Sequence, residues 1–227
     1  MQCIYPIILT TITISVLLVA LTPKVTEILS MEEYKEQLQD LKFDFEAVCI
    51  IIGLIQIVGL FNYTSVTAFS RDGKDAWFVK SIPINMYKQF IYKNLPQVFL
   101  NIICSITILS VIHFQIPAIE IKYIFEIFIL SILLFFINSY ILSLIDLINP
   151  KLNWDSEFEI LKNNKNKLTQ YVLIIFNILF LIYFCKLFIN FDLNNAILIF
   201  GIFILFIFII LNVAINKYKN KLFKKLR

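Results

Sequence analysis

The chain has 227 residues, 59% of them hydrophobic and 16% charged, with a formal net charge of +4. A soluble globular chain is about 45–50% apolar and about 25% charged. The composition therefore excludes an ordinary water-soluble domain, and the low Gly and Pro content excludes a collagen-like chain. What remains is a helical integral membrane protein.

A bilayer crossing needs about 20 apolar residues. Six runs qualify, at 4–22, 47–68, 94–115, 123–145, 170–189 and 196–215. Continuous runs, as opposed to short alternating segments, predict helices and not a β-barrel. The expected fold is an all-α polytopic transmembrane bundle of about six spans, one domain over 1–227.

The first run lacks a positive n-region and is longer than a signal-peptide h-region, which argues for a span. It starts almost at the first residue, an abrupt entry that predicts a fragment or a shortened reading frame. The segment 23–46 is rich in acids. Leu38, Leu41 and Phe45 recur there at helical spacing. Three readings stay open for it: a solvated acidic outer face, a shield over the outer mouth of a pathway, or a surface that meets a cationic substrate.

Orientation follows from the Lys/Arg bias of the loops. With the N-terminus in the cytoplasm, the inside segments 69–93, 146–169 and 216–227 carry fifteen Lys and Arg, and the outside segments four. Both termini are expected in the cytoplasm of a multi-pass cell-membrane protein. The basic end of the chain is expected to lie against anionic membrane lipid, not nucleic acid, because its cations hug a span end.

Chemistry is sparse. Cys3, Cys49, Cys104 and Cys185 form no CxxC pair, and His113 is the only histidine. No HExxH and no GxxxxGKS/T motif occurs. No catalytic, metal-binding or cofactor-binding residues are expected, and no cofactor. Glu126 and Lys186 fall inside spans at similar depth. They either pair between adjacent helices or snorkel separately to the headgroups. Gln56, Asn62, Asn101, Asn138, Asn177 and Asn212 are expected to bridge helices.

The informative stretches are two loops on the predicted inner face. In the first, Arg71-Asp-Gly-Lys74 reads as a charged turn, with Gly73 free to take positive φ. Ser81 is placed to cap a short helix with Pro83 in its first turn. Asn85, Gln89 and Lys93 form a polar stripe on that helix, predicting an amphipathic segment on the membrane surface or against a partner. Asn94 and Pro96 then start the third span.

The sequence Ser70-Arg-Asp-Gly-Lys-Asp-Ala-Trp-Phe-Val-Lys-Ser-Ile-Pro83 resembles the S-R-E-G-K-x-x-W-x-x-K-S-L/I-P loop of a family of ABC exporter permeases. Asp72 stands where that pattern has Glu, which keeps the charge and shortens the reach by one methylene. Asp146-Leu-Ile-Asn-Pro-Lys-Leu-Asn-Trp-Asp155 resembles the D-x-x-x-P-K-L-x-W stretch of the same family. The two motifs occur in the right order and on one predicted face.

The resemblance implies an ABC-2-like permease subunit, similar to the C-terminal half of a longer permease. A separate ABC ATPase subunit would dock on the loops and supply ATP hydrolysis, so the chain itself is not expected to be an enzyme. A second permease half or a homodimer partner is also implied. The coupling residues expected on this basis are Arg71, Gly73, Lys74, Trp77, Lys80 and Pro83, then Asp146, Pro150, Lys151, Leu152 and Trp154. Trp77 and Trp154 are candidates to dock a partner or anchor in the headgroups. The rival expectations are a non-transporting membrane scaffold or immunity-type protein, and a non-functional permease fragment.

Overall fold

A computed structural model describes residues 43–116, 119–155, 159–160 and 164–223. The expected span 4–22 and the acidic segment as far as residue 42 lie outside the described residues. Among the described residues there are five α-helices, one 3-10 segment and no strand.

Helix α1 is Phe45–Leu60. The Asp44 carboxylate caps it, accepting from the Ala47 N–H at 3.0 Å. At 16 residues it is shorter than the 47–68 run. The reason lies in the residues that follow. Asn62 Oδ1 accepts from the Thr64 N–H at 3.0 Å, a local turn that competes with further helix. Gln170 donates its amide to the Leu60 carbonyl and so covers the helix end.

The 3-10 segment, Ser70–Lys80, is broken at Gly73, where φ is 55° and ψ −137°. Helix α2 is Met86–Gln115, with Asn85 accepting from the Tyr87 N–H at its start. The expected short helix from Ser81 and the expected span from Asn94 are thus one helix, capped by Asn85, four residues later than Ser81. Pro96 lies inside it, removing one backbone rung without ending it. The polar stripe also turns inward: Gln89 is buried, and Lys93 reaches the 3-10 segment.

Helices α3 (Ile121–Ile148), α4 (Asn166–Leu187) and α5 (Leu193–Phe223) complete the bundle. The helices α2 to α5 are long and apolar enough to cross a membrane. The central one is α3, which packs against all the others. In its most apolar window 61% lies inside the protein, against 22% for α5.

The alternating helices put both long loops and the end of α5 at one end of the bundle, called here the loop end. The start of α1 lies at the other. Each end has its own aromatic core. Phe45 sits 5.4 Å from Phe188 and 5.7 Å from Phe200 at the α1 start. At the loop end Phe69 sits 6.0 Å from Phe90 and 5.5 Å from Phe223. Burying each such ring stabilises by about 1.5–3 kcal/mol relative to water.

One face of α3 is polar and buried: Ser131, Asn138, Ser139, Ser143 and Asp146. Away from water such groups need partners within the protein. Asn138 Nδ2 donates to Gln56 Oε1 at 3.0 Å, and Asn177 Nδ2 donates to Asn138 Oδ1 at 3.1 Å. Asn94 Oδ1 accepts from Ser139 at 2.6 Å, from Ser65 at 3.1 Å and from Ser143. Asn212 accepts from the Tyr87 hydroxyl at 2.7 Å. Gln56, Asn138, Asn177 and Asn212 therefore bridge helices. Asn62 and Asn101 do not: Asn62 accepts locally, and the buried Asn101 amide nitrogen has no partner.

Candidate functional site

The two motif loops meet. Their centre is Asp146, fully buried in the last turn of α3. Its Oδ2 accepts from the Phe69 N–H at 2.7 Å and the Ser70 N–H at 2.8 Å. Its Oδ1 accepts from the Ser70 hydroxyl and, at 3.0 Å, from Asn166 Nδ2 at the start of α4. All four donors are neutral, so the carboxylate is held by dipoles and not by a cation. A charged acceptor roughly doubles the strength of such bonds.

Ser70 links the loops a second and a third time. The Lys151 N–H donates to its hydroxyl oxygen at 2.9 Å. The Trp154 indole N–H donates to its carbonyl at 2.8 Å. The Trp154 ring then lies on Gly73. A Cβ built at Gly73 would stand 2.9 Å from Trp154 Cζ2, closer than real Cβ atoms come. Glycine is needed here twice over, for the positive φ and for the absent side chain.

The rim is ionic. Lys93 of α2 contacts both oxygens of Asp72 at 2.7 Å, donates to the Ala68 carbonyl at 3.2 Å, and lies 5.1 Å from the Phe69 ring centre. Lys74 stands 3.6 Å from Asp155, but both are exposed, so this pair contributes little. Arg71 folds back on its own loop, donating to the Thr67 and Thr64 carbonyls at 3.2 and 2.9 Å.

The expected coupling residues divide by role. Gly73, Asp146, Lys151 and Trp154 lie inside the loop junction. Leu152 packs on the loop-end core, and Lys151 Nζ donates to the Glu159 carbonyl at 2.8 Å. Pro150 is half-buried and Pro83 exposed, while Lys80 ends the 3-10 segment. Trp154 is thus a strut within the protein and not a free docking residue. Trp77 is free of that role. It is 60% exposed, with the exposed Phe78 ring against it at 5.9 Å.

Of the two readings left open for Glu126 and Lys186, the pair between helices does not form among the described residues. Glu126 faces Lys122, one turn away on its own helix, at 3.9 Å. Lys186 lines a different groove, between α1 and α4. Similar depth places two charges at one level but says nothing about which helix faces are in contact.

Sequence reasoning missed Ser70, Asn166 and the Asp72–Lys93 pair. Ser70 opens the first motif, but its neighbour Arg71 drew the attention. Asn166 carries a usable signal, Asn164-x-Asn166, which forms an Asx turn at 2.9 Å before α4. Comparison of the chain with family models, curated proteins and solved structures gives no match.

Proposed function

We propose that this chain is a membrane-spanning permease subunit of an ATP-driven ABC-type exporter in the cell membrane. The loop end faces the cytoplasm and couples to a separate ATPase subunit, which supplies the hydrolysis. In this reading the chain has about six spans and both termini inside.

The observation that carries the reading is the junction at Asp146. Two motifs far apart in sequence, each with its own resemblance to the permease family, share one carboxylate and one serine. A loop that transmits a partner's movement to helices has to be stiff at its root and exposed at its tip. The root here is tied to α3 through Asp146, which Asn166 of α4 also holds, and to α2 through Lys93. The tip presents Trp77 and Phe78. Trp is enriched at the centres of interfaces, where truncation costs about 2 kcal/mol or more.

The test is co-purification of the tagged chain from native membranes in mild detergent, with mass spectrometry of bound proteins. An ATPase with a phosphate-binding loop is expected with the wild type. Trp77→Ala, whose side chain supports nothing buried, is expected to lose at least tenfold of it while inserting normally. A preparation that retains other membrane complexes but brings no ATPase would favour the non-transporting scaffold or a non-functional fragment.

A further inference from the structure

A groove of about 450 Å³ lies between α1 and α4, opening at the end of the bundle where α1 starts. Its α1 wall runs from Glu46 past Gly53 to Ile57, and its α4 wall from Lys186 past Leu181 to Ile178. The helices are antiparallel, so Glu46 and Lys186 flank one mouth and the apolar residues line the rest. From Glu46 to Ile57 the groove is roughly 16 Å long, at about 1.5 Å of rise per residue.

Gly53 keeps the groove open. The nearest atom to a Cβ placed there is Leu181 Cδ1 at 3.5 Å, so a larger side chain would enter the space. The two charges at the mouth are exposed, and neither forms an ion pair or hydrogen bond among the described residues.

We propose that this groove binds a phospholipid with a zwitterionic, primary-amine headgroup. One acyl chain lies against Gly53. The phosphate sits on Lys186 and the ammonium on Glu46. Charge complementarity selects this occupant. An apolar helix laid over the mouth would bury a carboxylate and an ammonium that no described residue pairs, at a cost of several kcal/mol. A lipid headgroup carrying only a phosphate satisfies Lys186 and is repelled by Glu46. A quaternary ammonium has no N–H to donate to Glu46. A headgroup with both a phosphate and a primary ammonium answers both charges and also donates an N–H to Glu46. The proposal does not depend on the exporter reading.

The experiment is native mass spectrometry of the purified full chain. It is titrated separately with phosphatidylethanolamine, phosphatidylcholine and phosphatidylglycerol of identical acyl chains. Phosphatidylethanolamine is expected at about fivefold higher occupancy than phosphatidylglycerol, the preference one exposed ion pair can give, and at a smaller excess over phosphatidylcholine, which keeps the charge but lacks the N–H. Glu46→Gln should bring phosphatidylethanolamine down to the phosphatidylcholine level. Lys186→Gln should lower all three lipids, since each carries the phosphate. Gly53→Leu should lower all three, whereas Phe206→Leu on the exposed face of α5 should lower none. Should Gly53→Leu fail to fold, the two charge variants decide alone. Equal occupancy of the three lipids by the wild type overturns the proposal, as does headgroup preference unchanged in both charge variants.

Discussion

Asp146 is the residue on which the loop end depends. Asparagine is the closest replacement in shape, and it offers one acceptor oxygen where the carboxylate offers two. If that oxygen keeps the Phe69 and Ser70 N–H groups, its own NH₂ opposes the Asn166 amide, which also donates to the Asn149 carbonyl at 3.0 Å. At least one buried donor then loses its partner, at about 1–3 kcal/mol. Asp146→Asn should therefore lower the melting temperature of the purified chain in mild detergent. It should also raise the rate of tryptic cleavage in the 3-10 segment, which holds Arg71 and Lys74. An unchanged melt with unchanged cleavage would mean that the junction is not needed to order the loop.

The 3-10 segment is an element whose path is set by one backbone position. Gly73→Ala forces a side chain into φ 55° and into the Trp154 ring. Strain of this kind costs about 1–3 kcal/mol. The expected result is a lower melting temperature, with the Trp154 strut displaced. Gly201→Ala is the matched control. Its new Cβ meets only Leu130 at an ordinary 3.4 Å within a helix, so stability should hold or rise. Equal melting of the two variants would sink the argument.

This element also marks what the sequence could and could not show. The charged turn with a glycine free to take positive φ is local chemistry, and it was readable. So were the apolar runs that became α2 to α5, because composition alone decides them. The end of α1 was not readable, because a hydropathy run averages over Asn62, Thr64 and Ser65, which take the chain out of the helix. The Ser70–Asp146 contact was not readable either, since it joins loops separated by two long helices. Nothing local in Gln89 or Lys93 showed that the stripe faces the loop and not water. The same holds for Glu126 and Lys186, where the missing fact was the rotation of each helix about its axis.

At the scale of the whole molecule, the way the bundle sits in the membrane sets which partners the loop end can meet. Helix α4 is a single apolar helix of 22 residues, and the loops at its two ends must lie on opposite sides if it crosses. Asn153 and Asn190 are exposed on those two loops. The proposed orientation rests on fifteen Lys and Arg in the segments assigned to the inside against four outside, and it predicts that Asn153 is cytoplasmic. In a Cys3→Ser, Cys185→Ser background, Asn190→Cys should react with a membrane-impermeant maleimide in intact cells. Asn153→Cys should react only after permeabilisation. Cys49 and Cys104 are buried and should stay silent. The reverse pattern would turn the Asp146 junction and Trp77 to the outside, beyond the reach of any cytoplasmic ATPase. Labelling of both positions in intact cells would show instead that α4 does not cross.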